Sequence, residues 1–182
     1  MNRKLQLLVA FLVNGYFIME VHSLVEFTNI KCQSVDKNFS KFETCRLKSI
    51  NRTYKYFSVK VNLLKLPITN AQINAALYKR FNGYKPFLYN VTVDGCRFIA
   101  NPNSNPVGKY LYYAFKNVSN VNHSCPYNHD LVIDKLSTKI INDRMTYLLP
   151  FPEGDYMIKM NWMAFNVSRA IFQLYFSLAN RL

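Results

Sequence analysis

Apolar and polar residues alternate along most of this chain with a period of two, the spacing of strands that bury one face. Val25 and Phe27 alternate with Glu26 and Thr28, which places a first strand over residues 24–31. A turn at Asp36-Lys37-Asn38 leads to a second over 42–50. Past a turn at Asn51-Arg52, Phe57, Val59, Val61 and Leu63 alternate with Ser58, Lys60 and Asn62 in a long third strand ended by Pro67. Residues 70–81 are ambiguous: Ile73, Ala75 and Leu77 suit a strand face, whereas Ala71, Ala75, Ala76 and Leu77 also suit a short helix. Asn82-Gly83 is a strong turn signal. From Pro86 onward, Phe87, Tyr89, Val91 and Val93 share one face, and Asn90, Thr92 and Asp94 the other.

The rest of the pattern is less even. Asn101-Pro102-Asn103-Ser104-Asn105-Pro106 has no strand character. Leu111, Ala114, Phe115 and Val118 then recur at helical spacing, which predicts one short amphipathic helix over 107–118 with its apolar stripe packed on the strands. Residues 131–133 and 139–141 read as one interrupted strand or two short ones. Residues 148–154 form a proline-bounded loop. Two clear strands close the chain, with Tyr156, Ile158, Met160 and Trp162 on the inner face of one. Phe172, Leu174, Phe176 and Leu178 line the other, beyond a turn near Asn166. Short strands at this spacing predict an all-β, antiparallel β-sandwich with one short helix in the excursion between Cys96 and Cys125.

The first residues change the compartment. Met1-Asn2-Arg3-Lys4 is a cationic start, and an apolar run follows from Leu5 to Met19, shorter than the roughly 20 residues of a spanning helix. Val21-His22-Ser23 suits a signal peptidase, so residues 1–23 are expected to be a signal peptide and 24–182 a single secreted, extracellular domain. Four cysteines in that domain then imply two disulfides, with three pairings open; joining neighbours, Cys32 to Cys45 and Cys96 to Cys125, is preferred. Six Asn-x-Ser/Thr sites begin at Asn38, Asn51, Asn90, Asn117, Asn122 and Asn166, where roughly two would arise by chance. Glycans cannot be buried, so a used site marks a solvent-facing position.

Without Arg3, Lys4 and Glu20 the domain keeps 21 basic and nine acidic residues, dispersed along the chain. In a secreted protein this favours anionic membrane surfaces, acidic glycans or an anionic head group over nucleic acid, or simply a soluble surface. Nothing points to catalysis. The domain has two histidines, His123 and His129, and no Gly-x-Ser-x-Gly elbow, His-Glu-x-x-His helix or phosphate-binding glycine loop. His129-Asp130 has the makings of a Ser-His-Asp site, but nothing singles out a serine; Cys125 with His123 and His129 is a remote zinc alternative. The chain is read as a non-enzyme with no metal or cofactor.

Aromatic residues are more telling, at 15% of the chain. They either fill a closed core or line an apolar cavity between two sheets, and the pattern is the same for both.

Several blocks resemble an insect family of secreted proteins of unknown function that includes the fly chemosensory CheB-type proteins. They are Phe27-Thr28-Asn29-Ile30-x-Cys32, Phe42-x-x-Cys45-x-Leu47-Lys48, Asn51-Arg52, and the stretch from Gly83-Tyr84-Lys85-Pro86-Phe87 to Asp94-x-Cys96. Asn122-His123-Ser124-Cys125-Pro126-Tyr127, Pro152-x-Gly154-Asp155-Tyr156 and Trp162 fit as well. That family is similar to the ML lipid-recognition domains, such as the ganglioside-activator protein. The resemblance implies an immunoglobulin-like, ML-type sandwich that opens to hold a lipid between its sheets, in chemosensation or extracellular lipid handling.

The leading expectation is therefore a secreted binding protein for an apolar or lipid-like small molecule. Its lining is expected to be Phe57, Val59, Val61, Tyr89, Val91, Ile158, Met160, Trp162, Phe172, Leu174 and Phe176, with Lys85 or Lys159 at the rim to meet an anionic head. The rival is an extracellular interaction module with a closed core that contacts a receptor, membrane or matrix partner. A weaker third is an accessory that presents substrate to a hydrolase.

Overall fold

A computed structural model describes residues 22–52, 54–145 and 151–181. Residues 1–21, the body of the expected signal peptide, and 148–150 of the proline-bounded loop lie outside them. Among the described residues the strands are β1 (His22–Ser34), β2 (Ser40–Ser49), β3 (Lys55–Leu63), β4 (Ala71–Phe81), β5 (Gly83–Asp94), β6 (Leu131–Ser137), β7 (Gly154–Ala164) and β8 (Val167–Arg181). They form a five-stranded sheet, β1-β8-β7-β4-β5, and a three-stranded sheet, β2-β3-β6. Every strand pair is antiparallel. The chain is an all-β antiparallel sandwich.

Register shows why the alternating pattern folds this way. Cys32, Phe172, Met160, Ala75 and Val91 pair in one row across all five strands of the wider sheet. Ile30, Leu174, Ile158 and Leu77 make the row two residues on. Because the side-chain period is two, a one-residue slip would turn every one of these groups outward, so the apolar face fixes the pairing. The ambiguous segment 70–81 is thus a strand: its Ile73, Ala75 and Leu77 complete rows already set by β7.

The narrower sheet presents Phe57, Val59 and Val61, each at most 2% exposed. Cys32 and Cys45 form a disulfide from edge strand β1 to edge strand β2, so it ties the two sheets together. Cys96–Cys125 closes the excursion. At one end, Asp36 pairs with Arg169, whose guanidinium lies 4.1 Å from the Phe39 ring centre. Burial opposes the Asp36 charge, but the Asn38 backbone N–H and Arg169 outweigh it and hold the carboxyl below its usual value.

Within the excursion are α1 (Gly95–Ala100) and α2 (Pro106–Phe115), the latter extended by a 3-10 turn over Lys116–Val118. Asp94 caps α1 through the Arg97 N–H, and Asn105 caps α2 through the Gly108 N–H at 2.8 Å. Gly108 has a packing role, because a Cβ there would stand 3.1 Å from the Phe98 ring. The helix expected over 107–118 is therefore present as α2, and α1 is added to it.

One expectation fails. Lys139-Ile140-Ile141 is not strand but part of α3 (Thr138–Met145). Its β-branched residues favour strand locally, yet Asn142 of this helix accepts the Val25 N–H at 2.8 Å and donates to the Val25 carbonyl at 3.2 Å. The amide thus satisfies the backbone of edge strand β1, while Ile141 turns into the core.

Candidate functional site

Between the sheets lies a cavity of about 240 Å³ with an almost wholly apolar wall. Phe57, Val59 and Val61 of β3 border it from one side, and Ile158, Met160, Trp162, Phe172, Leu174 and Phe176 of β7 and β8 from the other. Nine of the eleven residues expected as lining thus surround one space. It spans β8 from Ala170 to Phe176, roughly 20 Å at the rise of a strand. The only charged side chain on its border among the described residues is Arg169, already held by Asp36.

The remaining two, Tyr89 and Val91, border a second space. The three-stranded sheet leaves part of the wider sheet to be covered by α2, and between α2 and β4–β5 runs an outer groove of about 540 Å³. Ala75, Leu77, Tyr89 and Val91 form its floor; Val107, Lys109, Tyr110 and Tyr113 of α2 overhang it, and Phe151 borders it. Leu111 and Ile158 stand in the walls of both spaces. Tyr89 is displaced from the inner row by a bulge between Ala76 and Tyr78, at which Leu88 takes a φ of 58°. Burial pushes the Tyr110 phenol up to about 12, so it stays protonated at physiological pH.

Alternation in the sequence could not find the α2 side of the groove, because Lys109, Tyr110 and Tyr113 read as the polar flank of an amphipathic helix. It also misplaced the rim cation. Lys159 pairs with Ala76 and Gln173 on the outer face of the sheet, away from both spaces. Lys85 is exposed and pairs with Lys79, whose ammonium sits 5.4 Å from the Tyr156 ring centre.

The histidines engage each other. His129 Nε2 lies 2.9 Å from His123 Nε2, His129 Nδ1 lies 2.8 Å from the Asp130 carbonyl and 3.1 Å from Asn120 Nδ2, and His123 Nδ1 lies 2.7 Å from the Ser124 carbonyl. The Asp130 carboxylate accepts the Leu63 N–H at 3.0 Å instead of facing a histidine, so His129-Asp130 does not form a charge-relay pair. Cys125 is bonded to Cys96 and so offers no thiolate to a metal. The six sequon asparagines, Asn38, Asn51, Asn90, Asn117, Asn122 and Asn166, are all exposed. Asn90 and Asn166 are held through Oδ1, by Asn74 and Gln72, and not through the Nδ2 that a glycan bonds.

Comparison with known proteins adds two likenesses. The sequence profile of a family described as "Protein of unknown function (DUF1091)" matches residues 73–158. Every residue bordering the outer groove falls within that span, and so does the Gly83–Cys96 block. The chain is also similar to the crystal structure of a Niemann-Pick type C2 protein from the Japanese carpenter ant, at 15% identity and a TM-score of 0.33, over 88% of this chain and 97% of that one. No curated protein matches the sequence.

Proposed function

We propose that the chain is a secreted glycoprotein that binds an apolar or lipid-like small molecule between its two sheets, in chemosensation or extracellular lipid handling. The interior cavity carries this reading. An apolar space of about 240 Å³ between the sheets denies the facing side chains the contacts that a closed, densely packed core supplies, which costs stability. A binding protein recovers that cost when its ligand fills the space, whereas a closed interaction module gains nothing from it. Burial of about twelve methylenes contributes roughly 10 kcal/mol before ordering costs, enough for micromolar affinity without a catalytic group.

The eleven expected lining residues are the proposed contacts, Phe57 to Phe176 around the cavity and Tyr89 with Val91 at the groove. Secretion is supported by two disulfides and six exposed sequons. No described helix is long and apolar enough to cross a membrane. The family resemblance supports the chemosensory setting.

Native mass spectrometry of the secreted, folded protein is expected to show a co-purifying apolar molecule, and a fluorescent fatty acid to be displaced by unlabelled lipid. Failure of both overturns the proposal.

A further inference from the structure

Resting on that reading of the cavity, we propose that the outer groove seats the anionic head of a single-chain amphiphile, carboxylate or phosphate, with Lys109 as its charge contact and the tail passing Leu111 and Ile158 into the cavity.

The two spaces differ in polarity in the way such a ligand requires. Inside, the one bordering cation is neutralised by Asp36, and an anion brought there would lose its hydration with nothing to replace it. In the groove, Lys109 is the one charged side chain on the wall among the described residues. Its ammonium donates to Asn103 Oδ1 at 2.8 Å and lies 5.9 Å from the Tyr113 ring centre, both neutral groups. Lys116 stands 5.5 Å from the other partner of that contact, the same Tyr113 ring.

The excursion and the facing strand carry one sign. No Asp or Glu occurs between Gly95 and His129, nor between Gly83 and Val93 in the facing strand. Of the acids that flank these stretches, Asp94 is engaged with Arg97 at 3.6 Å and with the cap of α1, and Glu153 follows the groove's Phe151 by two residues. A cleft with apolar walls and charges of one sign concentrates its field, so an anion is drawn to this mouth in preference to the rest of a basic surface. A neutral ligand would leave Lys109 partly desolvated and without a counter-charge. The groove's floor of Ala75, Leu77 and Val91 is apolar, which fits the part of the ligand next to the head.

The test is displacement of a neutral phenylnaphthylamine dye from the native protein by palmitate, hexadecyl phosphate and hexadecanol, which share one chain length. At least one anionic amphiphile is expected to bind about tenfold more tightly than the alcohol, and which one does names the head. Lys109→Gln is expected to erase that advantage by weakening the anionic amphiphile without weakening hexadecanol; Lys109→Arg keeps it, and added salt shrinks it. Equal affinity for all three in the native protein, or an advantage that survives in folded Lys109→Gln, overturns the head-group site and leaves the cavity reading standing. If none displaces a dye that does bind, the cavity reading fails along with it.

Discussion

Leu111 of α2 and Ile158 of β7 each form part of the wall of both the interior cavity and the outer groove. Any ligand that passes from one space to the other goes by these two side chains. Leu111→Ala is therefore expected to speed release of a bound apolar probe several-fold, at about 2 kcal/mol of stability, because the residue is only partly buried. Ile158→Trp is expected to slow both binding and release. Stopped-flow fluorescence measures both; unchanged rates in both variants would remove this pair from the route.

Filling the cavity separates stability from binding. Val59→Phe adds apolar volume to a space of about 240 Å³ that has room for it. The ligand-free variant is expected to melt higher, by about 1 kcal/mol of added stability, and to bind apolar probes at least tenfold more weakly. In a closed core the same change overpacks and lowers the melting temperature.

The two disulfides are expected to act differently. Replacing Cys32 and Cys45 by alanine frees a 14-residue loop and costs about 3 kcal/mol by chain entropy, together with the tie between the sheets. Replacing Cys96 and Cys125 frees about 30 residues and costs about 3.6 kcal/mol. Only the second loosens the segment that bears α2, so it is expected to weaken selection among ligand heads more than the first. Urea titration and dye displacement on the two double variants compare these effects.

Alkaline pH supplies a further test. Burial raises the Tyr127 phenol to about 12, with Tyr112 adding to it, and burial alone does the same for Tyr110. Both ionise near 10 in the unfolded chain. The folded state thus binds these protons more tightly, and the stability this contributes is complete below pH 10 and lost as pH rises through 12. Tyrosinate absorbance is expected to rise in two phases, the later one coinciding with a fall in the urea midpoint. A single phase near pH 10 in the folded protein would contradict the burial of these rings.

Strand phases were legible because cross-strand rows demand the same alternation in every strand: Phe172, Met160 and Val91 could be placed inward from sequence alone. The cavity was not, since an inward residue has the same pattern whether it touches a neighbour or an empty space. Lys109 escaped notice because its role depends on what α2 faces, a relation between elements far apart in sequence. Ile140 and Ile141 misled for a similar reason, since the bond from Asn142 to Val25 outweighs their local preference.

Five strands stand against three in this sandwich. The difference in width leaves β4 and β5 covered by a helix, whose own backbone bonds are closed within itself. A strand in that place would be held by a ladder of hydrogen bonds; α2 faces β4 and β5 through its side chains, and the backbone that follows it is tied to β6 through Ser119 and Asn120. On the proposed function, access to the interior is thereby set by side-chain packing and not by the pairing of strands.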